Sequence, residues 1–161
     1  MVSPSPSYGV TISNVKVNGG GDTVSVQPGA ALNVALSYSI VDTACPGCID
    51  QIQVGFSSGQ PFTCVYNGVP GASGKSGTAS FTTAAPSAPG TYYLAFDRSQ
   101  AYSCPTSWWN GVPPAQRYFA QVNVEAVQQP PPSPRQQEQL QKRSQEQLQK
   151  RPVEEKEKVG G

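Results

Sequence analysis

Between Ala31 and Val41 the side chains alternate without interruption. Leu32, Val34, Leu36, Tyr38 and Ile40 are apolar or aromatic, and Asn33, Ala35, Ser37 and Ser39 between them are small or polar. Only an extended segment with one face on a core and the other in water satisfies a period of two over that length. The same signal recurs along the chain. Val10 and Ile12 share one parity and Val15 and Val17 the other, so a bulge is expected at Ser13–Asn14, because a one-residue slip reverses the buried face. Further strands are read at 23–26, 49–56, 62–66, 78–82, 91–97 and 117–126. In the last of these, Tyr118, Ala120, Val122, Val124 and Ala126 are expected to point inward. Sixteen glycines and sixteen prolines supply the turns between strands, and no segment of this region has a helical period. About eight short strands over residues 8–127 predict an all-β, immunoglobulin-like antiparallel sandwich. A closed barrel is the second architecture that fits.

Charge divides the chain. Residues 1–128 carry four basic and five acidic side chains, whereas residues 129–161 carry seven and five. A body this poor in charge has no basic patch with which to displace counterions from a phosphate backbone, so no nucleic-acid partner is expected. Residues 1–7 read as a flexible N-terminus and 128–134, Gln-Gln-Pro-Pro-Pro-Ser-Pro, as a polyproline spacer. Beyond it, the Gln/Glu/Lys/Arg-rich tail 135–161 repeats an eight-residue unit at Glu138 and Glu146. With only Leu140 and Leu148 as apolar groups and Pro152 as a stop, the tail is expected to be disordered or marginally helical: a solvated appendage or, alternatively, a segment that docks on a protein partner. No apolar run reaches the length of a membrane span. The N-terminus shows no charged region followed by an apolar one, so no signal peptide is visible. The four cysteines, in contrast, suggest an oxidising environment: extracellular, cell-surface or virion.

Those cysteines are Cys45, Cys48, Cys64 and Cys104. A zinc site made of all four is one reading, although only Cys45 and Cys48 have the C-x2-C spacing that zinc knuckles use. A redox-active pair would sit at a helix N-terminus, and no such helix is predicted. Two structural disulfides are the reading adopted. A 49–66 hairpin closed by a five-residue loop would place Ile52 opposite Cys64, with both on the buried face. Cys48 would then lie some 13 Å from Cys64 along the strands, at roughly 3.3 Å per residue, which exceeds the reach of a disulfide. Cys45–Cys48 with Cys64–Cys104 is therefore preferred, and Cys45–Cys64 with Cys48–Cys104 stays open.

The runs CPGCIDQIQVGF, FTCVYNGVPG, KSGTASFTTAAPSAPGTYYLAF and YSC together resemble small cysteine-containing β-sandwich domains of microbial extracellular and surface proteins. The resemblance spans about residues 8–126 and leaves the tail outside. It implies the sandwich fold and an outward-facing binding or scaffold role, and it carries no catalytic residue or ligand.

The chain contains no histidine, which removes Ser-His-Asp and Cys-His catalysis. Asp42 and Asp50 are expected to cap turns rather than to act as an acid–base pair. Glycine-rich stretches lack the strand-to-helix setting of a phosphate loop, and no cofactor is expected. The loop holding Tyr102, Trp108, Trp109 and Asn110 is the candidate contact surface, since amphipathic aromatics dominate recognition sites; the structural alternative is that one tryptophan caps the open end of the sandwich and the other covers a disulfide. Two functions follow as expectations. The first is a non-enzymatic structural or interaction module on a surface or particle, such as a surface-layer or virion component. The second is a carbohydrate-binding or adhesion domain that uses the aromatic loop.

Overall fold

A computed structural model describes residues 9–150; the N-terminus 1–7 and the end of the tail, including Pro152, lie outside the described residues. Eight strands are formed among them: β1 (Val10–Val17), β2 (Thr23–Val26), β3 (Ala31–Ile40), β4 (Asp50–Phe56), β5 (Pro61–Gly68), β6 (Lys75–Ala84), β7 (Gly90–Ser99) and β8 (Tyr118–Val124). They make two sheets, a three-stranded one ordered β1-β3-β6 and a five-stranded one ordered β2-β8-β7-β4-β5. The fold is an all-β sandwich. Pairing is antiparallel throughout except where β2 runs parallel to β8.

The core lies between the sheets and is drawn from the apolar parity of each strand. Leu32, Val34, Leu36 and Ile40 of β3 are buried, as are Ile52 and Val54 of β4, Leu94 and Phe96 of β7, and Ala120, Val122 and Val124 of β8. The expected irregularity in β1 is present. Its register against β3 shifts between Ser13 and Lys16, Asn14 sits at φ 49°, and Val10, Ile12 and Val17 are all buried as a result.

Two expectations need correction. In β8 the register breaks opposite Leu94 and Ala95, so Phe119 takes the buried place assigned to Tyr118. Tyr118 instead stacks on Tyr93 at 4.7 Å, and Ala126 lies past the strand and is exposed. In the β4–β5 hairpin, Ile52 faces Tyr66 and Gln53 faces Cys64, with register shifts on both sides of the Gln53–Val54 pair. Cys64 therefore does not join Ile52 on the core side. The slip leaves Tyr66 to pack near Tyr38, with ring centroids 5.7 Å apart.

Residues 128–150 form a separate unit. Their helix, α1 (Pro134–Gln149), is better defined at its start than composition suggests. The Ser133 hydroxyl accepts from the Gln136 backbone, the Gln136 side chain accepts from the Ser133 backbone, and Pro134 occupies the first turn. This reciprocal cap, with proline just inside the helix, is a helix-start signal. It occupies the last two residues of the segment read as a polyproline spacer. One i,i+4 ion pair, Lys142–Glu138 at 3.0 Å, adds little, and no residue of the helix is buried.

Candidate functional site

Every residue of β4 is buried, including Gln51 and Gln53, whose parity points them away from the core. The reason is the connection between β7 and β8. Residues 100–114 lie across the outer face of the five-stranded sheet, and the polar side chains beneath them bond to their backbone. Gln51 Oε1 accepts from the Ala101 N–H at 3.0 Å and from the Ser99 hydroxyl, while its amide donates to the Ala101 carbonyl and to Asn67. Gln53 accepts from the Trp109 N–H at 3.1 Å and donates to the carbonyls of Ser107 at 2.8 Å and Pro105 at 3.2 Å. Asp97, wholly buried, accepts from the Asn110 backbone at 2.8 Å, from the Asn110 amide, and from Arg117 Nη1 at 2.6 Å. Buried polar groups are tolerated only when bonded in this way. Three side chains thus convert a long connection into a fixed plate.

A covalent staple adds to this. Cys64 on β5 is bonded to Cys104 in the loop (Cα–Cα 5.8 Å), and Cys45 to Cys48 (Cα–Cα 5.4 Å). Both disulfides match the preferred pairing, and with every sulfur so engaged the four-thiolate zinc alternative does not form. Nor do the described residues hold any other cluster of His, Cys, Asp or Glu with metal-binding geometry. The Cys64–Cys104 bond spans a sequence separation of 40. On loop-entropy grounds it contributes about 4 kcal/mol, against about 2 kcal/mol for the tight Cys45–Cys48 turn.

Four residues of the loop were candidates for contact, and the structure divides them. Trp108 is buried: its indole N–H donates to the Gly59 carbonyl at 2.8 Å, and its ring lies over Gly55, where an added Cβ would sit 3.0 Å from the indole. Asn110 is exposed, yet its amide is committed to Asp97 and to the Arg98 carbonyl. Both hold the loop, Trp108 from within and Asn110 from its exposed surface. Trp109, 53% exposed, and Tyr102, 94% exposed, do face outward, together with Val112. Trp109 and Tyr102 flank two clefts. One, of about 240 Å³, is lined by Ala44, Arg98, Gln100, Trp109 and Asn110. The other, of about 420 Å³, is lined by Gly47, Cys48, Ile49, Gln100, Ala101 and Tyr102. Gln100 belongs to both.

Beneath Gln100 is an ion cluster that sequence reading missed. Arg98 binds Asp42 at 2.7 Å and Asp50 at 2.9 Å, and Gln100 donates to Asp42 at 2.9 Å. Asp42 does cap a turn, accepting from the N–H groups of Ala44 and Cys45. The Cys45 N–H is the main cause that holds its pKa below the ordinary value of 3.8; Arg98, the Ala44 N–H and Asp50 act in the same direction, against the cost of burial. Burial raises the Tyr66 phenol, and Tyr38 and Asp50 add to the effect. Three of the body's five acids and two of its four bases are thus taken up in ion pairs at or below the surface. The outer surface of the sandwich is left even less charged than its composition.

Fold and site together define a disulfide-stapled all-β sandwich, one sheet of which is roofed by a pinned aromatic loop. Comparison with protein families, with curated proteins and with solved structures finds no match for this chain. Two disulfides point to folding in an oxidising, extracellular type of environment. No helix among the described residues is long and apolar enough to cross a membrane.

Proposed function

We infer that this chain is a non-enzymatic interaction module of immunoglobulin-like type, displayed on a surface or particle, whose contact surface is the outer rim of the 100–114 loop. One observation carries the reading. Three buried polar side chains and a disulfide hold the loop, and the large apolar side chains they leave facing outward are Trp109, Tyr102 and Val112. Rigid aromatic anchors lose little conformational entropy on binding, which is what recognition surfaces require. A scarcely charged surface and two disulfides agree with an outward-facing role. The helical segment 134–149, with no buried residue, suits a tether or docking element on a protein partner.

A second reading, carbohydrate binding or adhesion, is favoured by the smaller cleft. There Trp109 offers a flat ring beside the Gln100 amide and the partly exposed Arg98, a combination that suits a sugar ring. One experiment separates the two. A photo-crosslinking amino acid at position 109 or 102 is expected to give a protein adduct in the cells that make this chain. A glycan adduct moves the assignment to the second reading. Absence of any adduct at both positions contradicts the contact surface itself. Trp109→Ala and Tyr102→Ala should abolish the adduct formed from the other position while leaving the melting temperature within about 2 °C, as expected for exposed side chains.

A further inference from the structure

The two sheets have four edges among the described residues, and three of them are built to refuse another strand. β1 carries a register break with Asn14 at positive φ. β2 has only four residues. β5 begins at Pro61, shifts register twice and is tied through Cys64 to the loop. Bulges, prolines and shortness are the usual means of blunting an edge. β6 has none of them. Its ten residues, Lys75–Ala84, pair one for one with β3 in a single unbroken register, contain no proline, and carry one charge, Lys75, at the very end. On its far side no strand among the described residues is paired.

We propose that β6 is the pairing edge of a two-fold dimer, in which β6 of one copy adds antiparallel to β6 of a second copy. A second copy is the best-matched occupant, because the outward side chains of β6 are small hydroxyl groups, Ser76, Thr78, Ser80 and Thr82, which can face their own kind across a two-fold axis. Directly opposed residues in an antiparallel pair share a face. About an axis at Ser80, Ser80 meets Ser80 of the second copy and Thr78 meets Thr82 of the second copy. Lys75 then falls beyond the last pair, so like charges are never opposed. The half-exposed Phe62, packed on Phe81 with ring centroids 6.3 Å apart, flanks this edge and is available for further apolar burial.

The geometry also closes. Joining two sheets ordered β1-β3-β6 through their β6 strands leaves the bulged β1 at both ends of the composite sheet, so addition stops at two copies.

Sedimentation equilibrium of the full chain over a concentration series tests this. The wild type is expected to be a dimer. Ser80→Lys and Ser80→Glu should each weaken association by roughly tenfold or more, through like charges brought face to face. An equimolar mixture of the two should restore the dimer. Should either variant fail to fold, by circular dichroism, the same test passes to T78K/T82K, expected to dissociate, against T78K/T82E, expected to associate. A monomeric wild type overturns the proposal. So does a dimer that Ser80→Lys or T78K/T82K leaves intact, or a mixture of folded Lys and Glu variants that stays monomeric.

Discussion

The two outer faces of the sandwich start from the same kind of alternation and finish in opposite environments. On the three-stranded sheet, Asn33, Ala35, Ser80 and Thr82 point away from the core and remain exposed. On the five-stranded sheet, Gln51, Gln53, Asp97 and Ser99 point away from the core and are buried. Short hydroxyl side chains on the first face reach only neighbouring side chains of their own sheet, as where Thr82 donates to Asn33 at 3.0 Å and Ser37 accepts from Asn14 at 3.2 Å. Amide and carboxylate side chains on the second face are long enough and rich enough in acceptors to bond to the backbone of an overlying loop. The polar parity of a strand therefore says which way its side chains point, and a neighbouring long connection decides whether they meet solvent.

The largest expected effect comes from Asp97. Asp97→Ala removes the Asp97 carboxylate from the buried ion pair with Arg117, whose side chain is 6% exposed, and releases Asn110 as well. Removing one member of a buried ion pair costs about 3–5 kcal/mol. Urea denaturation should show a loss of that size. A loss under about 1 kcal/mol, in the range of exposed pairs, would place the loop-holding role elsewhere.

A matched pair of substitutions sharpens the contrast between faces. Gln53→Ala removes three bonds to the loop and should cost about 2–3 kcal/mol, since the Ser107 and Pro105 carbonyls and the Trp109 N–H lose their partner. Ser39→Ala, on the outer face of the other sheet, should change stability by no more than about 0.5 kcal/mol. Equal costs at the two positions would erase the distinction.

The smallest effect is one of pH. Asp42 has its folded pKa below its unfolded value of 3.8, so its contribution is present above that pH and disappears as pH falls below it toward the folded value. A stability–pH curve should lose part of its acid limb in Asp42→Asn. An unchanged acid limb would mean that Cys45 and Arg98 do not favour the charged form. Tyr66 works at the other end: its raised pKa means that stability falls as pH climbs above 10.0, where only the unfolded chain ionises readily.

Much of the fold was legible in the sequence because period-two alternation has one structural solution. The faces of β3 and the bulge near Ser13 could be argued from residue types and spacing. The preferred disulfide pairing is the one formed, although the Ile52–Cys64 register it was argued from is not. What failed did so for physical reasons. Adjacent aromatics at Tyr118 and Phe119 give two acceptable parities, and the bulge that selects one is a tertiary choice. The hairpin register was misjudged because the slips in β5 serve the disulfide and the Tyr38–Tyr66 contact, both distant in sequence. Gln51 and Gln53 look like ordinary solvent-facing residues between Ile52 and Val54. The available signal was indirect: the wide gap between the strands at 91–97 and 117–126 contains two tryptophans and a cysteine, too much apolar and covalent material for a freely waving loop. Of the four loop residues offered as a contact surface, Trp109 and Tyr102 are exposed, as that reading requires, while the bonds of Trp108 to Gly59 and of Asn110 to Asp97 depend on partners distant in sequence.

Amide hydrogen exchange at three positions tests the pinned loop most directly. Ala101, Trp109 and Asn110 donate their backbone N–H groups to Gln51, Gln53 and Asp97. They should be protected from exchange to nearly the extent of the amides in β4 and β7. Exchange of all three at the rate of an unstructured peptide, while the strands remain protected, would contradict the account.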